Sequence, residues 1–212
     1  MELLEKYAAS RDALRASKRH PYLFWKRVID VVVSFVLLMS LALPMLIVAF
    51  MIRLESEGPA IFRQTRLGRN LVPFTVLKFR TMKSDAPHDC PSAILVGADR
   101  EAALTRLGRF LRRSSFDELP QLWNVLVGEM SLVGPRPLIP REAGLHRLRA
   151  RLGATAVRPG ITGLAQTAGR DERSDLEKAC LDGIYASGVS AMMDATVLLR
   201  TVRTVIGGRG SD

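Results

Sequence analysis

The hydrophobic pattern of the chain is dominated by one apolar run over residues 31–52, which carries no charged side chain at any of its 22 positions. As an α-helix this run would be roughly 33 Å long, enough to cross the ~30 Å hydrocarbon core of a bilayer. Pro44 lies inside the run. Because proline lacks a backbone donor and clashes with the carbonyl four residues earlier, the helix is predicted to bend there. The segment is too long, and starts too late, to be a cleaved signal peptide.

Basic residues flank this run on both sides, and each flank favours the cytoplasmic side of a membrane. The flanking residues are Lys18, Arg19, Lys26 and Arg27 before the run, and Arg53, Arg63, Arg66 and Arg69 after it. A helix that bends at Pro44 and returns satisfies both flanks, whereas a straight span separates them. We therefore expect a re-entrant helix, with a straight span as the main alternative and a buried helix of a soluble core as the weaker one.

Beyond Gly58 and Pro59 the pattern becomes that of a soluble domain. Residues 60–64 and 74–79 are rich in β-branched and aromatic side chains, and residues 68–73 between them have turn character, so a β-hairpin is predicted. Periodicity and local composition predict four helices and one loop, over residues 99–113, 118–127, 140–152 and 190–206 for the helices and 84–97 for the loop. Several of these helices set leucines against arginines. That pattern is typical of a solvated face or, beside a membrane segment, of a helix that lies in the interface.

The composition adds a strong positive charge to this picture. There are 31 basic residues, of which six are lysine, against 21 acidic residues, and the formal net charge is +10. This excess points to an anionic partner, which could be nucleic acid, anionic lipid or a phosphorylated substrate. Aromatic residues make up only 6% of the chain, so stacking on nucleic-acid bases is poorly supported. Two cysteines (Cys90 and Cys180) and three scattered histidines (His20, His88 and His146) indicate reduced thiols and argue against a disulfide framework or a zinc site.

Two adjacent carboxylates, Asp117 and Glu118, lie just before Pro120. Because proline is tolerated in the first turn of a helix but not in its interior, a helix is predicted to begin over residues 115–118. At a helix start, unpaired N–H groups and the helix dipole favour an ionised carboxylate and also bind phosphate. An ionised aspartate can attack phosphorus, and a neighbouring glutamate can hold a divalent metal. Simple capping of the helix is the alternative that these residues, taken alone, favour.

Three further segments carry residues suited to binding phosphate. In GPRP (134–137), two prolines stiffen the backbone around Arg136, whose guanidinium fork can bind phosphate in a bidentate manner. In RPGITG (158–163), two glycines permit a close backbone approach to a ligand, although no Lys-Ser/Thr pair follows as in a P-loop. Lys78, Arg80 and Thr81 end the second predicted strand. Taken singly, each segment is more typical of a surface turn or of a solvated strand end.

Together and in this order, these segments resemble the bacterial sugar transferase family of monotopic phosphoglycosyl transferases, in its minimal catalytic-domain form. The matching segments are Lys26-Arg27 with Asp30, LKFRTM (77–82), RRSSFDELPQLWNVL (112–126), MSLVGPRP (130–137) and VRPGITG (157–163). Leu181-Asp182, Tyr185 and Asp194 match more loosely. The resemblance covers residues 22–206, nearly everything except the N-terminal appendage.

The resemblance implies an enzyme that transfers a phospho-sugar from a UDP-sugar to a polyprenyl phosphate, such as undecaprenyl phosphate, with release of UMP. Asp117 would be the nucleophile that forms a covalent phospho-sugar intermediate, and Glu118 would bind Mg²⁺, for which Mn²⁺ could substitute. The residues expected to bind phosphate or other substrate groups are Lys78, Arg80, Arg112, Arg136, Arg158 and Asp182. The enzyme would act in glycoconjugate biosynthesis at the cytoplasmic face of the bacterial inner membrane, with the bilayer and not nucleic acid as its partner. Whether it forms a homodimer stays open.

The expected fold is mixed α/β and mainly helical. It combines a re-entrant N-terminal membrane helix, a short β-hairpin and amphipathic interfacial helices around a small cytoplasmic catalytic domain. The predicted parts are a polar appendage over residues 1–21, the membrane helix over 22–57 and the catalytic domain over 58–212. Where the family breaks its membrane helix with Ser-Pro, this chain has Leu43-Pro44, and Ser40 is the candidate donor to a local carbonyl.

Three rival interpretations are compatible with the residues. The first is a single-span protein whose basic domain binds nucleic acid or anionic lipid without catalysis, and the second is a membrane-anchored scaffold in which the motifs are only turns. The third keeps the enzyme but replaces the covalent step with direct attack of the polyprenyl phosphate on the UDP-sugar.

Overall fold

The computed structural model describes residues 22–83, 103–169 and 173–206. The predicted N-terminal appendage, the predicted loop over 84–97 and the side chains of His20, His88 and Cys90 therefore lie outside the described residues. Within them the chain is mainly helical, with two small two-stranded sheets. This agrees with the expected mixed α/β, mainly helical fold.

The apolar run forms two helices joined by a sharp bend. Helix α1 (Tyr22–Ser40) and helix α2 (Ala42–Glu55) meet at an angle of 62°, and the bend is centred on Leu41. The bend precedes Pro44 because the proline cannot donate to the carbonyl of Ser40 in the preceding turn. The hydroxyl of Ser40 donates to the carbonyl of Val36 (2.9 Å), one turn earlier, so Ser40 is a donor to a local carbonyl as the sequence predicted. Among the described residues no helix alone has the length and hydropathy of a membrane span, whereas α1 and α2 meet that criterion as a bent pair.

The start of helix α1 is fastened to the rest of the domain by charged side chains. Arg27 donates to the carbonyls of Val125 (2.6 Å) and Leu126 (2.9 Å), which belong to the C-terminal end of a later helix. Asp30, which is buried, accepts from the backbone N–H of Leu132 (3.1 Å). The remainder of the pair exposes a series of large apolar side chains, among them Phe35, Leu46 and Phe50.

The predicted hairpin is present and slightly longer than expected. Strand β1 (Ile61–Leu67) pairs antiparallel with strand β2 (Pro73–Phe79), in the register that sets Ile61 opposite Phe79. A 3₁₀ turn (Arg69–Leu71) connects the two strands, with Asn70 in a left-handed conformation. The hairpin places every second residue of each strand on a common face.

Six α-helices whose bounds lie within the described residues, and two short strands, follow the hairpin. They are α3 (Arg106–Arg113), α4 (Gln121–Val127), β3 (Ser131–Val133), α5 (Ala143–Arg151), β4 (Gly160–Thr162), α6 (Leu164–Thr167), α7 (Asp175–Ser187) and α8 (Ala191–Ile206), with α1 and α2 completing the set of helices. The single helix predicted over 99–113 is interrupted at Leu104, which forms an isolated β-bridge with Met82. Helix α3 then begins at Arg106, where the Thr105 hydroxyl caps it by accepting from Gly108 N (2.9 Å). Helix α7 and the parallel β3–β4 pair were not predicted. Helix α7 begins with a capping box formed by Ser174 and Glu177.

The glycines of the RPGITG segment serve backbone packing. A Cβ atom at Gly160 or Gly163 would collide with the backbone of Gly134, which lies on the neighbouring strand connection. The sequence suggested that these glycines allow a ligand to approach. The close approach that the structure shows is between two segments of the chain, and it fixes the GPRP turn against strand β4.

Candidate functional site

The two adjacent carboxylates lie in a tight turn before a helix and not at its start. Residues Phe116–Glu118 form a single 3₁₀ turn, entered through Ser115 in the left-handed conformation (φ 58°). Helix α4 begins three residues later at Gln121, directly after Pro120. The predicted helix start over residues 115–118 is therefore wrong, because the left-handed residue interrupts the helical path after α3.

Basic side chains from two separate elements converge on these carboxylates. Lys78, near the end of β2, donates from Nζ to Glu118 Oε1 at 2.5 Å, and its Nζ lies 4.0 Å from Asp117 Oδ2. Arg136, in the turn after β3, lies 3.5 Å from the same Glu118 oxygen through Nη1. The sequence predicted all four residues for one site, and the fold brings them together from distant parts of the chain.

Burial decides the ionisation of Asp117. Its side chain is only 8% exposed, and this burial raises the pKa of its carboxyl above the usual value. Lys78, Arg112 and Arg136 oppose that rise, while the charge of Glu118 adds to it. The sequence predicted a helix start that favours the ionised form, so the direction of the shift is a correction. The buried carboxylate is poorly hydrated, and it depends on the neighbouring cations for its charge.

A cleft of about 220 Å³ opens beside Glu118. Its lining comprises Arg66, Val76, Lys78, Glu118, Gln121, Arg136, Pro137, Gly160 and Ile161. Sequence reasoning missed two of these as site residues, Arg66 and Gln121. Strand periodicity carried a signal for Arg66. In the register of the hairpin Arg66 lies opposite Phe74 and on the same face as Val76 and Lys78, so its side chain is on the side of the sheet that carries Lys78.

Two of the predicted phosphate-binding residues make contacts elsewhere. Arg80 donates to the carbonyls of Ser56 (2.7 Å) and Glu57, and so closes the C-terminal end of α2. Arg158 donates from Nε to the carbonyl of Gly128 (2.9 Å), just past the end of α4. Neither residue lines the cleft. Both contacts stabilise exposed carbonyls at helix ends, where cations are favoured.

Asp182 lies behind the cleft, where it supports one of the cleft residues. Its side chain is 1% exposed and forms an ion pair with Arg149 at 2.5 Å. The other branch of the Arg149 guanidinium donates to the backbone carbonyl of Arg136 (2.6 Å). Burial raises the pKa of the Asp182 carboxyl, and the Arg149 charge opposes the rise. This buried pair holds the turn that carries Arg136 and does not line the cleft.

Arg112 lies near the carboxylates without being placed in the cleft lining. Its Nε donates to the hydroxyl of Thr81 (3.0 Å), and its charge lowers the pKa of Asp117. Helix α3 therefore delivers a third cation to the carboxylate pair, as the sequence expected.

The donor set beside the cleft fits Mg²⁺. Within the described ranges no group of three or more His, Cys, Asp or Glu side chains is placed to hold a metal without help. Mg²⁺ is commonly held by one or two carboxylates together with substrate phosphates and water. Asp117 and Glu118 supply hard oxygen donors of that kind beside a cleft rich in cations.

Two comparisons with known proteins bear on this site. A sequence model of the family described as "Bacterial sugar transferase" matches residues 21–208. The chain is 44% identical over 190 residues to the UDP-glucose:undecaprenyl-phosphate glucose-1-phosphate transferase of Caulobacter vibrioides, covering 85% of this chain and 69% of that protein. It is 40% identical over 213 residues to the undecaprenyl-phosphate glucose phosphotransferase of Komagataeibacter xylinus, covering 94% of this chain but only 40% of that protein. It is 39% identical over 185 residues to an uncharacterized sugar transferase of Bacillus subtilis, covering 87% of this chain and 89% of that protein.

Proposed function

Because the chain belongs to the bacterial sugar transferase family, we propose that it transfers a sugar 1-phosphate from a UDP-sugar to undecaprenyl phosphate, with release of UMP. The product would feed polysaccharide or other glycoconjugate biosynthesis. The observation that carries the proposal is the carboxylate pair of buried Asp117 and partly buried Glu118, beside a cleft lined by cations. Both substrates carry phosphate, which accounts for the cations of the cleft better than a nucleic-acid partner does.

Asp117 is the proposed nucleophile. One of its carboxylate oxygens attacks the phosphorus that bears the sugar, and the bond from that phosphorus to the bridging oxygen breaks as UMP leaves. A phosphate oxygen of undecaprenyl phosphate then attacks the same phosphorus, and the Asp117 carboxylate leaves with its electron pair. This gives undecaprenyl diphosphate sugar and restores the free enzyme. Two displacements allow one small cleft to serve a soluble donor and a membrane-bound acceptor in turn.

The neighbouring charges are suited to both displacements. Arg136 and Arg112 bind non-bridging phosphoryl oxygens and so favour the charge distribution of the transition state. Lys78 keeps Asp117 ionised despite its burial, and it orients Glu118 through the 2.5 Å contact. Glu118, with Asp117 beside it, would hold Mg²⁺. When bound, the metal neutralises charge on the phosphate oxygens of the donor, and Mn²⁺ is expected to substitute for it.

The proposed location is the cytoplasmic face of the bacterial inner membrane. Helices α1 and α2 would enter one leaflet and return, with residues 22–57 as the membrane segment and residues 58–212 as the catalytic part. The bend at Leu41 and the exposed apolar side chains of both helices support this arrangement. So do the basic residues at both flanks, which then stay on the same side.

The function is tested with the purified full-length chain in detergent. A panel of UDP-sugars is supplied with undecaprenyl phosphate and Mg²⁺, and UMP release and lipid-linked sugar phosphate are measured. Each donor is also supplied alone, followed by digestion and mass spectrometry of the peptide that contains Asp117. We expect an adduct on Asp117 and turnover with at least one donor. Turnover without an adduct would favour direct displacement, whereas no UMP from any donor would contradict the proposed function.

A further inference from the structure

Arg66 is a partly buried cation that forms no ion pair with a carboxylate of the described residues. It lies on β1, where Nη2 donates to Gln64 Oε1 (2.5 Å) and Nη1 donates to the carbonyl of Pro137 (3.2 Å). Both partners are neutral. Among residues 22–83, 103–169 and 173–206, no carboxylate oxygen lies within the 4.0 Å of an ion pair with this guanidinium. Glu142 and Glu118 act on Arg66 only from beyond that distance. A cation withdrawn from water with no carboxylate in direct contact is costly, so the arrangement favours an anion from outside the chain.

The surroundings of Arg66 strengthen this conclusion. Burial lowers the pKa of Arg66 to about 10, and repulsion from Arg136 adds to this fall, whereas the charges of Glu142 and Glu118 oppose it. Arg66, Lys78 and Arg136 line the cleft, whereas the only carboxylate of the lining in the described structure is Glu118. Lys78 and Arg136 both approach that one carboxylate. The cleft therefore retains positive charge that its own residues do not neutralise.

Gln121 gives a second, independent sign of a ligand-binding position. Its side chain is 2% exposed, and its Nε2 has no hydrogen-bond partner among the described residues. Gln121 lines the same cleft as Arg66. A buried amide N–H is almost always paired in a folded protein, so an unpaired one beside a cationic cleft marks a place for an acceptor oxygen.

We propose that Arg66 and Gln121 form a phosphate subsite with Arg136. The guanidinium of Arg66 binds non-bridging phosphoryl oxygens, and the Gln121 amide donates to the same anion. The hydrogen bonds to Gln64 and Pro137 hold the Arg66 fork in a fixed orientation, which suits bidentate binding. The inference rests on the proposed function insofar as the phosphate belongs to the UDP-sugar or to undecaprenyl phosphate.

The chain offers a matched control for Arg66. Arg63 lies on the same strand, three residues away and therefore on the opposite face, and its side chain is exposed. The variants R66Q, R66K, Q121A and R63Q are each made in the full-length protein. Binding of inorganic pyrophosphate and of uridine is then measured by calorimetry in detergent. Because pyrophosphate is not a donor, this measurement does not depend on the reaction.

We expect R66Q to bind pyrophosphate at least tenfold more weakly than R63Q. R66K should lose less affinity than R66Q, and Q121A should lose affinity several-fold. Uridine, which has no phosphate, should bind all variants equally. Equal pyrophosphate affinity in R66Q and R63Q would overturn the subsite, even if R66Q had a lower melting temperature, because that pattern means that Arg66 only supports Pro137. A wild-type chain that binds no pyrophosphate would overturn it as well. Unchanged binding by Q121A would overturn the part assigned to Gln121.

Two rate measurements assign the phosphate to its source. UMP release without acceptor reports the donor, and discharge of the loaded enzyme to undecaprenyl phosphate reports the acceptor. A loss in R66Q confined to UMP release places Arg66 on the donor phosphate, and a loss confined to discharge places it on the acceptor. If wild-type chain binds pyrophosphate through Arg66 but releases no UMP from any UDP-sugar, the proposed function fails and the subsite stands.

Discussion

Two groups of buried and partly buried charged side chains, one at the start of α1 and one at the cleft, differ in whether their charges balance. The anchor cluster comprises Tyr22, Lys26, Tyr185 and Asp194. In it, Asp194 Oδ2 accepts from Tyr22 (2.7 Å) and Lys26 (2.8 Å), while Oδ1 lies 2.8 Å from the Tyr185 hydroxyl. One carboxylate thus faces one ammonium and two neutral hydroxyls, and both of its oxygens have partners.

The cleft cluster comprises Arg66, Lys78, Asp117, Glu118 and Arg136. It has more cations than carboxylates, one of its carboxylates carries a raised pKa, and it borders an open cleft. The balanced cluster fastens α1 and α8 to the core. The unbalanced cluster keeps groups whose partners must come from a ligand. A buried polar group without a partner lowers the stability of the fold, and a bound ligand that pairs with it removes this cost. The balanced cluster is therefore a structural arrangement of charge, and the unbalanced cluster is a functional one.

The sharpest way to test this contrast is Asp117→Asn. We expect loss of the adduct and of turnover by a factor on the order of 10³ or more, because a neutral amide is a poor nucleophile toward phosphorus. We also expect the variant to be more stable than wild type at pH 7. Burial raises the pKa of the Asp117 carboxyl in the folded state above its value in the unfolded state. The protonated carboxyl therefore adds stability below the unfolded-state pKa, and this stability is lost as the pH rises through the folded-state pKa. Asparagine, which cannot ionise, avoids that loss.

Thermal unfolding across a pH series checks the stability part. The advantage of Asp117→Asn over wild type should shrink at low pH, where wild-type Asp117 is protonated. Near wild-type turnover in this variant would move the chemistry to another residue. A variant less stable than wild type at every pH would place Asp117 among the structural charges.

Asp194→Asn should have the opposite effect on stability. Breaking a buried ion pair leaves Lys26 without its counter-charge, and we expect a loss of about 3 kcal/mol. The destabilised state should release α1, which limited proteolysis between residues 22 and 40 would detect. Unchanged stability would mean that the cluster is no anchor. Asp175→Asn is the matched control, because Asp175 forms a longer (3.9 Å) contact on an exposed helix surface and should lose less than about 0.5 kcal/mol.

A smaller effect is expected at Glu118. Glu118→Gln keeps the shape of the side chain but removes the charge that pairs with Lys78 and that would hold Mg²⁺. We expect a loss of about 10- to 100-fold in UMP release and a higher Mg²⁺ requirement. In the wild type, chelation should abolish UMP release, and Mg²⁺ or Mn²⁺ should restore it. Full activity in excess EDTA would contradict the assignment of a metal to this pair.

The elements and residues with strong local signals were predictable. The hairpin was predicted from β-branched and aromatic stretches around a turn, and the bend was predicted from Pro44. The ordered motifs predicted Lys78, Asp117, Glu118 and Arg136, which the fold brings together. Strands β3 and β4 were not predicted, because each has only three residues and the two strands are far apart in the sequence. Helix α7 was not predicted, because its interior lacks a clear apolar stripe, although the sequence at Ser174 and Glu177 matches a capping box.

What sequence could not give was the role of each motif residue. Arg80, Arg158 and Asp182 stand in matching segments, yet their contacts are with carbonyls at helix ends or with buried Arg149. A motif marks a residue that the fold or the chemistry requires without saying which of the two requires it. The direction of the Asp117 pKa shift likewise depends on burial, which no local pattern of residues reports.

The smallest expected effect concerns Pro44 and the bend between α1 and α2. Pro44→Ala restores a backbone donor for the carbonyl of Ser40, which favours a straight helix long enough to cross the bilayer. Topology is measured by labelling single cysteines at positions 5 and 210 in intact cells, in a background with Cys90 and Cys180 replaced by serine. With the wild-type helix pair, we expect both cysteines to lie on the cytoplasmic side and to be protected from a label added outside the cells. Periplasmic labelling of position 5 alone would contradict the re-entrant arrangement.

The anchor cluster limits how far Pro44→Ala can act. A straight span carries the start of α1 across the membrane, which requires breaking the Lys26–Asp194 pair and the bonds from Arg27 to the end of α4. We therefore expect labelling of position 5 in a minor fraction of Pro44→Ala molecules, and in a larger fraction when Asp194→Asn is added. Pro59→Ala, outside the helix pair, should change nothing. Equal labelling of the single and double variants would mean that the basic flank alone, and not the anchor cluster, holds α1 on its side.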